Sequence, residues 1–304
     1  MRLLPEDALA EADQIFRTAV GTFLGADVIG DTDVLRTRFR SPATEVLGAW
    51  IDGELAGSAA VTRWGSVGVL GPLSVKPERW DRGIGTRLVE AAVELMQSWG
   101  TTHQGLFTFA NSPKHHALYQ RCGFWPRFLT AIMSRTVDNS GPELGTLLST
   151  VPESDRNTVL LGCAAVTDAN WAGLDLTAEI TSVLDQKLGD VVVVGDPSTP
   201  RGFAVCHVGA GTEAGSGVCY AKAAAVMPGR GAPGAFAALL AACQSYAART
   251  GAARLIVGVN TARRQVYQAL LDAGFRMVVP GITMHRPDEA GYDHPDAWVL
   301  DDWR

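Results

Sequence analysis

The segment Val67-Gly-Val-Leu-Gly-Pro-Leu-Ser-Val75, followed by Lys76-Pro-Glu-Arg-Trp-Asp-Arg-Gly-Ile-Gly85, constrains this chain most. Val67 to Val75 reads as a strand, and Pro77 and Gly83 punctuate its end. Leu88, Ala92, Leu95 and Met96 then recur at helical spacing, with Gly100 as a C-terminal stop. A strand that feeds a glycine turn opening a helix exposes several backbone N–H groups at the positive end of the helix dipole. Such a turn is an anion site, and its usual anion is a phosphate or pyrophosphate.

The elements around this segment form a pattern that occurs twice. In the first half, helical stretches at Glu6–Val20 and Asp31–Arg40 precede strands at Thr44–Ile51 and Leu55–Arg63, joined by the hairpin signal Asp52-Gly53. After the glycine turn and long helix come a strand at Gly105–Ala110 and a helix that Ser112 is placed to cap, with Pro113 in its first turn. That helix carries Tyr119 and ends at Cys122-Gly123-Phe124. A strand pair, Phe124–Phe128 and Ala131–Arg135, is expected to close the unit. Residues 139–155, rich in Asn, Ser, Gly, Pro and acids, read as a linker. The second half has helices at Asn157–Ala165 and Leu176–Leu184, then strands at Val191–Gly195, Gly202–Gly209 and Val218–Met227. A Gly/Pro turn, the helix Ala235–Thr250, the strand Arg254–Val259, Asn260, a further helix and Gly274-Phe275 follow. We read a tandem duplication with much drift: a first domain at 1–138 and a second at 156–304.

Composition narrows the function classes. With 47% hydrophobic and 19% charged residues the chain is a soluble globular protein. A net charge of −6 speaks against a nucleic-acid surface, which needs a basic face. Lys76, Arg79, Arg82 and Arg87 form a local basic patch suited to one small polyanion. Five dispersed cysteines without paired spacing read as buried small residues in a reducing compartment, with neither a disulfide framework nor a metal site. The N-terminus carries no signal-peptide pattern and no run is long enough to span a membrane, so a cytoplasmic protein is expected.

The first copy resembles the GNAT acetyltransferase superfamily. The matching residues are Leu73-Ser-Val-Lys-Pro77, Arg82-Gly-Ile-Gly-Thr86, Asn111, Leu118-Tyr119 and Cys122-Gly-Phe124. The family's loop usually starts with Gln or Arg three residues before its first glycine, where this chain has Trp80 beside Arg79. The resemblance implies an α/β fold of two tandem domains, each a mixed, mostly antiparallel sheet flanked by helices. It implies acetyl-coenzyme A as cosubstrate, lying along Leu73, Ser74 and Val75, with its pyrophosphate on the loop Trp80, Asp81, Arg82, Gly83, Ile84, Gly85 and Thr86. Asn111 would line the cleft, and Arg121 would reach a coenzyme phosphate. It implies an amine acceptor, either a small molecule or a peptide, and a monomer or homodimer, with no nucleic acid, membrane or metal. The catalytic residues it implies are Tyr119, near the leaving sulfur, and the N–H of Val75, which donates to the carbonyl oxygen, with Asn111 beside them.

An alkyl amine is only about one part in 2500 neutral at pH 7 and must lose a proton before it attacks. His115, His116 and Glu45 are candidate bases, and each also reads as an ordinary surface residue. Tyr119 reads either as a proton or hydrogen-bond donor or as a packed aromatic, and Asn111 as a cleft residue, a helix cap or both. The second copy lacks the same equipment. Phe236 stands where the second loop glycine would be, Pro233 has no N–H, and Leu270 replaces the tyrosine, with Tyr267 one turn away. This copy is expected to bind no coenzyme A and to act structurally. The alternative for the whole chain is an acyl-coenzyme A sensor without catalysis. A nucleotide enzyme lacks support, because no Lys-Ser/Thr pair follows the glycine loop.

Overall fold

Why the β-strands alternate as they do is visible in what each face covers. The computed structural model describes residues 1–25, 29–138 and 142–304. The first half runs β1 (Arg2–Leu3), α1 (Leu9–Leu24), α2 (Val34–Phe39), β2 (Thr44–Ile51), β3 (Glu54–Trp64), β4 (Val67–Val75), α3 (Ile84–Ser98), β5 (His103–Phe109), α4 (Pro113–Arg121) and β6 (Trp125–Thr136). Along β2 and β3, Val46 and Ala60 pack with Ile15 and Ala12 of α1, while Leu47, Ala59 and Val61 pack with Leu88, Ala92 and Met96 of α3. Period-two alternation thus puts one helix layer on each face.

The second half repeats the plan. It runs β7 (Thr146–Leu147), α5 (Glu153–Asn170), α6 (Thr177–Asp185), β8 (Gly189–Asp196), β9 (Thr199–Gly209), β10 (Gly215–Val226), α7 (Ala232–Arg249), β11 (Arg254–Asn260), α8 (Arg264–Asp272), β12 (Arg276–Arg286) and β13 (Val299–Leu300). Val191, Val193, Phe203 and Val205 face α5 and α6, and Val192, Val194, Ala204 and Cys206 face α7. Trp64, Val67 and Val69 of the first half belong to the same core as α5 and α6, so the halves share buried apolar surface.

All strands join one mixed sheet in the order β1-β2-β3-β4-β5-β12-β6-β11-β10-β9-β8-β7, with β13 paired to β10. The parallel pairs are β4–β5 and β10–β11. The tandem, mostly antiparallel architecture is as expected, and Thr44–Ile51 and Val67–Val75 have the expected bounds.

The end of each half departs from expectation. Phe124–Phe128 and Ala131–Arg135 do not form a closing pair. From Trp125 on they lie in one strand, β6, interrupted at Phe128 (φ 59°), where the register with β12 shifts between Thr283↔Arg127 and Ile282↔Leu129. Moreover β6 pairs with β11 of the second half and β12 pairs with β5 of the first. The two halves have exchanged their last strands. Of the expected linker, residues 139–141 lie outside the described residues. Thr146–Leu147 adds to the edge of β8, and α5 begins at Glu153, so these parts belong to the second half.

Candidate active site

The site is built where β4 leaves β5. Their parallel pairing ends at Leu70↔Leu106. On its other side β4 bulges: its register with β3 steps from Val61↔Leu70 to Ala59↔Leu73, leaving Gly71 and Pro72 opposite Ala60. β5 continues to Phe109, held by β12 on its far edge. The facing edges of Gly71–Val75 and Phe107–Phe109 therefore do not pair with each other, and the slot is the space between them.

Strand geometry determines which groups face it. The N–H of Lys76 donates to Ala56 O at 2.9 Å. Alternate residues of a strand present their backbone groups to the same side, so Ser74 also faces β3, while Leu73 and Val75 face the slot. Ser74 pairs with Ser58 and is buried. Its backbone groups are engaged in the ladder with β3. The Val75 carbonyl accepts the Trp80 indole N–H at 2.8 Å.

The glycine loop follows. Asp81 (φ 61°) and Gly83 (φ 73°) are left-handed, and Gly83 starts α3 with no side chain capping it. The first N–H groups of α3, at Ile84, Gly85 and Thr86, have no intrahelical acceptor by helix geometry. Together with the left-handed turn they form a concave set of donors suited to an anion. Lys114 of α4 leans over this loop, with Nζ 3.0 Å from Asp81 Oδ1 and 4.9 Å from the centre of the Trp80 ring. Lys114 carries no motif signal. It is found only because α4 starts beside the loop. Arg121 lies seven residues further along α4, about 10 Å down the helix and away from the loop. Lys114 is thus a cation at the loop, and Arg121 stands at the far end of α4.

Tyr119 is buried in the core beneath α3, and among the described residues its hydroxyl has no hydrogen-bond partner. Burial pushes its pKa up to about 12. Ser112 Oγ accepts the N–H of His115 and caps α4, whereas Asn111 is exposed at the end of β5. His115 is half-buried, not on a solvated face. Its ring centre lies 4.8 Å from Phe23 of α1 and 6.4 Å from Tyr119, and Phe23 lies 5.5 Å from Phe109. Burial, with the nearby Lys114 charge adding to it, lowers the His115 pKa below the usual imidazole value. Glu45 is elsewhere. It shares a row with Val61 and Leu70 on the α3 face, two strands or about 10 Å from β4. There it lines a separate cavity of about 380 Å³ with Arg63, Trp99 and Asp175.

The second half has the same bulge and a filled slot. Parallel pairing ends at Ala221↔Val257, and β10 bulges at Lys222 between Cys206↔Ala221 and Val205↔Ala223. Beyond the bulge, Ala224 and Ala225 pair with Leu300 and Val299 of β13, and Val226 N–H donates to Trp298 O at 2.9 Å. The chain's own strand thus lies where the first half is open. Its α7 begins from Gly231 in right-handed geometry with Pro233 in the first turn, and Leu270 is core.

The acetyltransferase (GNAT) family profile matches residues 12–124, the span that contains β4, the glycine loop, α3, β5 and α4. This span matches the GNAT acetyltransferase family. Among the many solved structures that the chain resembles are the following three. One, from Pyrococcus horikoshii, is 14% identical, with 99% of this chain and 94% of that one covered and a TM-score of 0.67. A GCN5-related N-acetyltransferase from Sphaerobacter thermophilus is 19% identical, with 94% of each chain covered and a TM-score of 0.58. A tandem GNAT protein from the clavulanic acid biosynthesis pathway is 13% identical, with 93% and 97% covered and a TM-score of 0.54. At these identities the likeness establishes the fold, a tandem GNAT fold. No curated protein matches the chain. Among the described residues there is no helix long and apolar enough to cross a membrane and no cluster of side chains that could hold a metal ion.

Proposed function

We propose that the chain is an N-acetyltransferase that moves an acetyl group from acetyl-coenzyme A to an amine. Residues 1–138 would carry the chemistry, and residues 156–304 would be non-catalytic. The observation that carries this reading is the contrast between the two slots. In the second half an extended backbone, β13, hydrogen-bonds the bulged strand. In the first half the matching edge of β4 is open and leads to the uncapped start of α3. An extended, amide-bearing arm ending in phosphates would pair with the edge of β4 as β13 pairs with β10, and would end at the start of α3.

In this reading the backbone groups of Leu73 and Val75 hold the arm, and the N–H groups from Gly83 to Thr86 hold the pyrophosphate, with Lys114 beside it. Asn111 stands exposed at the cleft mouth. Acetyl-coenzyme A supplies an activated thioester. The N–H of Val75 is the donor for the carbonyl oxygen. Its own carbonyl, tied to Trp80, is turned away from that work. Tyr119 is the group for the leaving sulfur. With its pKa at about 12, giving up its proton to a thiolate of pKa about 8.5 is uphill by about 5 kcal/mol. Tyr119 therefore acts by donating a hydrogen bond to developing charge and keeps its proton through the step.

The test is release of coenzyme A from acetyl-coenzyme A across a broad panel of small and peptide amines. Turnover on any amine that falls with Tyr119→Phe supports the reading. Coenzyme A binding without turnover on every amine, at high protein concentration, would favour an acyl-coenzyme A sensor instead.

A further inference from the structure

The second half reaches into the first at the bulge itself. Arg38 of α2 is buried, and its Nη1 donates to the carbonyl of Gly71 at 2.7 Å. The other side of its guanidinium is gripped by Glu213, Nε to Oε1 at 3.2 Å and Nη2 to Oε2 at 2.7 Å. Glu213 also accepts from Lys222 Nζ at 2.8 Å, and Lys222 is the residue at the bulge of β10. Lys222 is held in turn by Glu179 of α6 at 2.9 Å, which accepts the Trp64 indole N–H at 3.0 Å. The bulges of the two halves are thus joined by a chain of charged contacts, Gly71–Arg38–Glu213–Lys222.

We propose that Arg38, oriented by Glu213 and Lys222 of the second half, is a positioning residue for the cofactor slot of the first. This rests on the acetyl-coenzyme A reading above. The Gly71 carbonyl sits at the point where β4 parts from β5, and the next residue, Pro72, has no N–H to contribute to either neighbour. A partly buried carbonyl at a ladder break gains from another donor. A guanidinium meets this need at one end and engages a carboxylate with both remaining arms at the other, so it sets an orientation that a single ammonium cannot. Holding that carbonyl fixes the direction in which Leu73 and Val75 leave the bulge, and so the line along which their backbone groups meet a ligand. It also gives the second half a task in the chemistry although its own slot is filled.

The experiment uses the full chain. The Kd for coenzyme A is measured by titration calorimetry for the wild type, Arg38→Lys and Glu213→Gln, at a temperature where circular dichroism reports each as folded. Michaelis constants for acetyl-coenzyme A are compared with kcat on any accepted amine. Arg38→Lys can serve Gly71 or Glu213 but not both, and should weaken coenzyme A binding at least tenfold. Glu213→Gln, which keeps the shape but removes the charge, should weaken it three- to tenfold. KM should rise more than kcat falls. A purely structural role would lower the melting temperature and leave Kd of the folded protein unchanged, and that result would overturn the proposal. If Arg38→Lys does not fold, Glu213→Gln carries the test alone. A wild type that binds no coenzyme A would instead sink the cofactor reading, and this proposal with it.

Discussion

The indole N–H of Trp80 donates to the carbonyl of Val75 across 2.8 Å. One residue of the glycine loop is thereby bound to the last residue of β4. The bond occupies the one Val75 group that would repel an acyl oxygen and leaves the N–H beside it exposed to the slot. Trp80→Phe keeps a ring under Lys114 and removes the donor. Coenzyme A affinity should fall about tenfold, roughly the 1.4 kcal/mol of one ordinary hydrogen bond, with the melting temperature nearly unchanged. Calorimetric titration reads this directly. An unaltered Kd would show that the bond only packs the loop.

Gly83 and Gly85 should differ in kind. Gly83 has φ +73°, with open space where a Cβ would go, so a side chain there strains the backbone without a clash. At Gly85 a Cβ would meet Leu118 at 3.5 Å, an ordinary contact. Gly83→Val should cost about 1–2 kcal/mol of stability and abolish coenzyme A binding. Gly85→Ala should leave the melting temperature within error, because the added methyl meets only Leu118 in ordinary contact, and should weaken binding less than Gly83→Val does. Equal losses of stability at both positions would contradict the loop geometry.

Tyr119→Phe should lower kcat by 10- to 100-fold, about 1.4–2.7 kcal/mol, while KM for acetyl-coenzyme A stays within twofold. Burial holds the hydroxyl at about 12, so the wild-type rate should show no alkaline fall from this group below about pH 10. A limb near pH 8 to 9 that disappears in Tyr119→Phe would mean that the residue ionises during turnover.

Stability should fall as pH drops from about 6.5 to about 4. His103 and His207 are buried, and burial lowers each pKa to about 4. The nearby His285 adds to this at His103. In that window the unfolded chain takes up protons that the folded chain refuses, so stability is lost on the way down and levels off below about pH 4. Each histidine contributes at most about 3 kcal/mol. Glu213, which burial would raise but Arg38 and Lys222 hold well below the usual carboxylate range, adds a further loss that begins near its ordinary value of 4.5 and continues to more acid pH. Urea titrations between pH 7 and 4 should show the slope, and His207→Gln should reduce it by about half. A flat profile would contradict the burial of these rings.

Much of this site was legible because its signals are local. The apolar alternation of Val67–Val75, the glycine at a left-handed turn, and Ser112 ahead of Pro113 each act within a few residues, and each stands where the pattern put it. What escaped depends on partners far away in sequence. Alternation marks β6 and β12 as strands but carries no information on which half they join, and the break at Phe128 imitates a hairpin turn. β13 has two residues, too few to show a period. Arg38 looks like any helix arginine until Glu213, 175 residues on, closes around it. A motif also names a residue without saying to which side its N–H points, so the pairing of Ser74 with Ser58 was not legible, and Lys114 was not found because its place depends on where α4 starts.

The most direct measurement is the stoichiometry of coenzyme A binding to the full chain by titration calorimetry. One open slot and one filled by Val299–Leu300 predict one coenzyme A per chain, abolished by Gly83→Val. Two per chain, or one that survives Gly83→Val, would contradict the assignment of the chemistry to the first half.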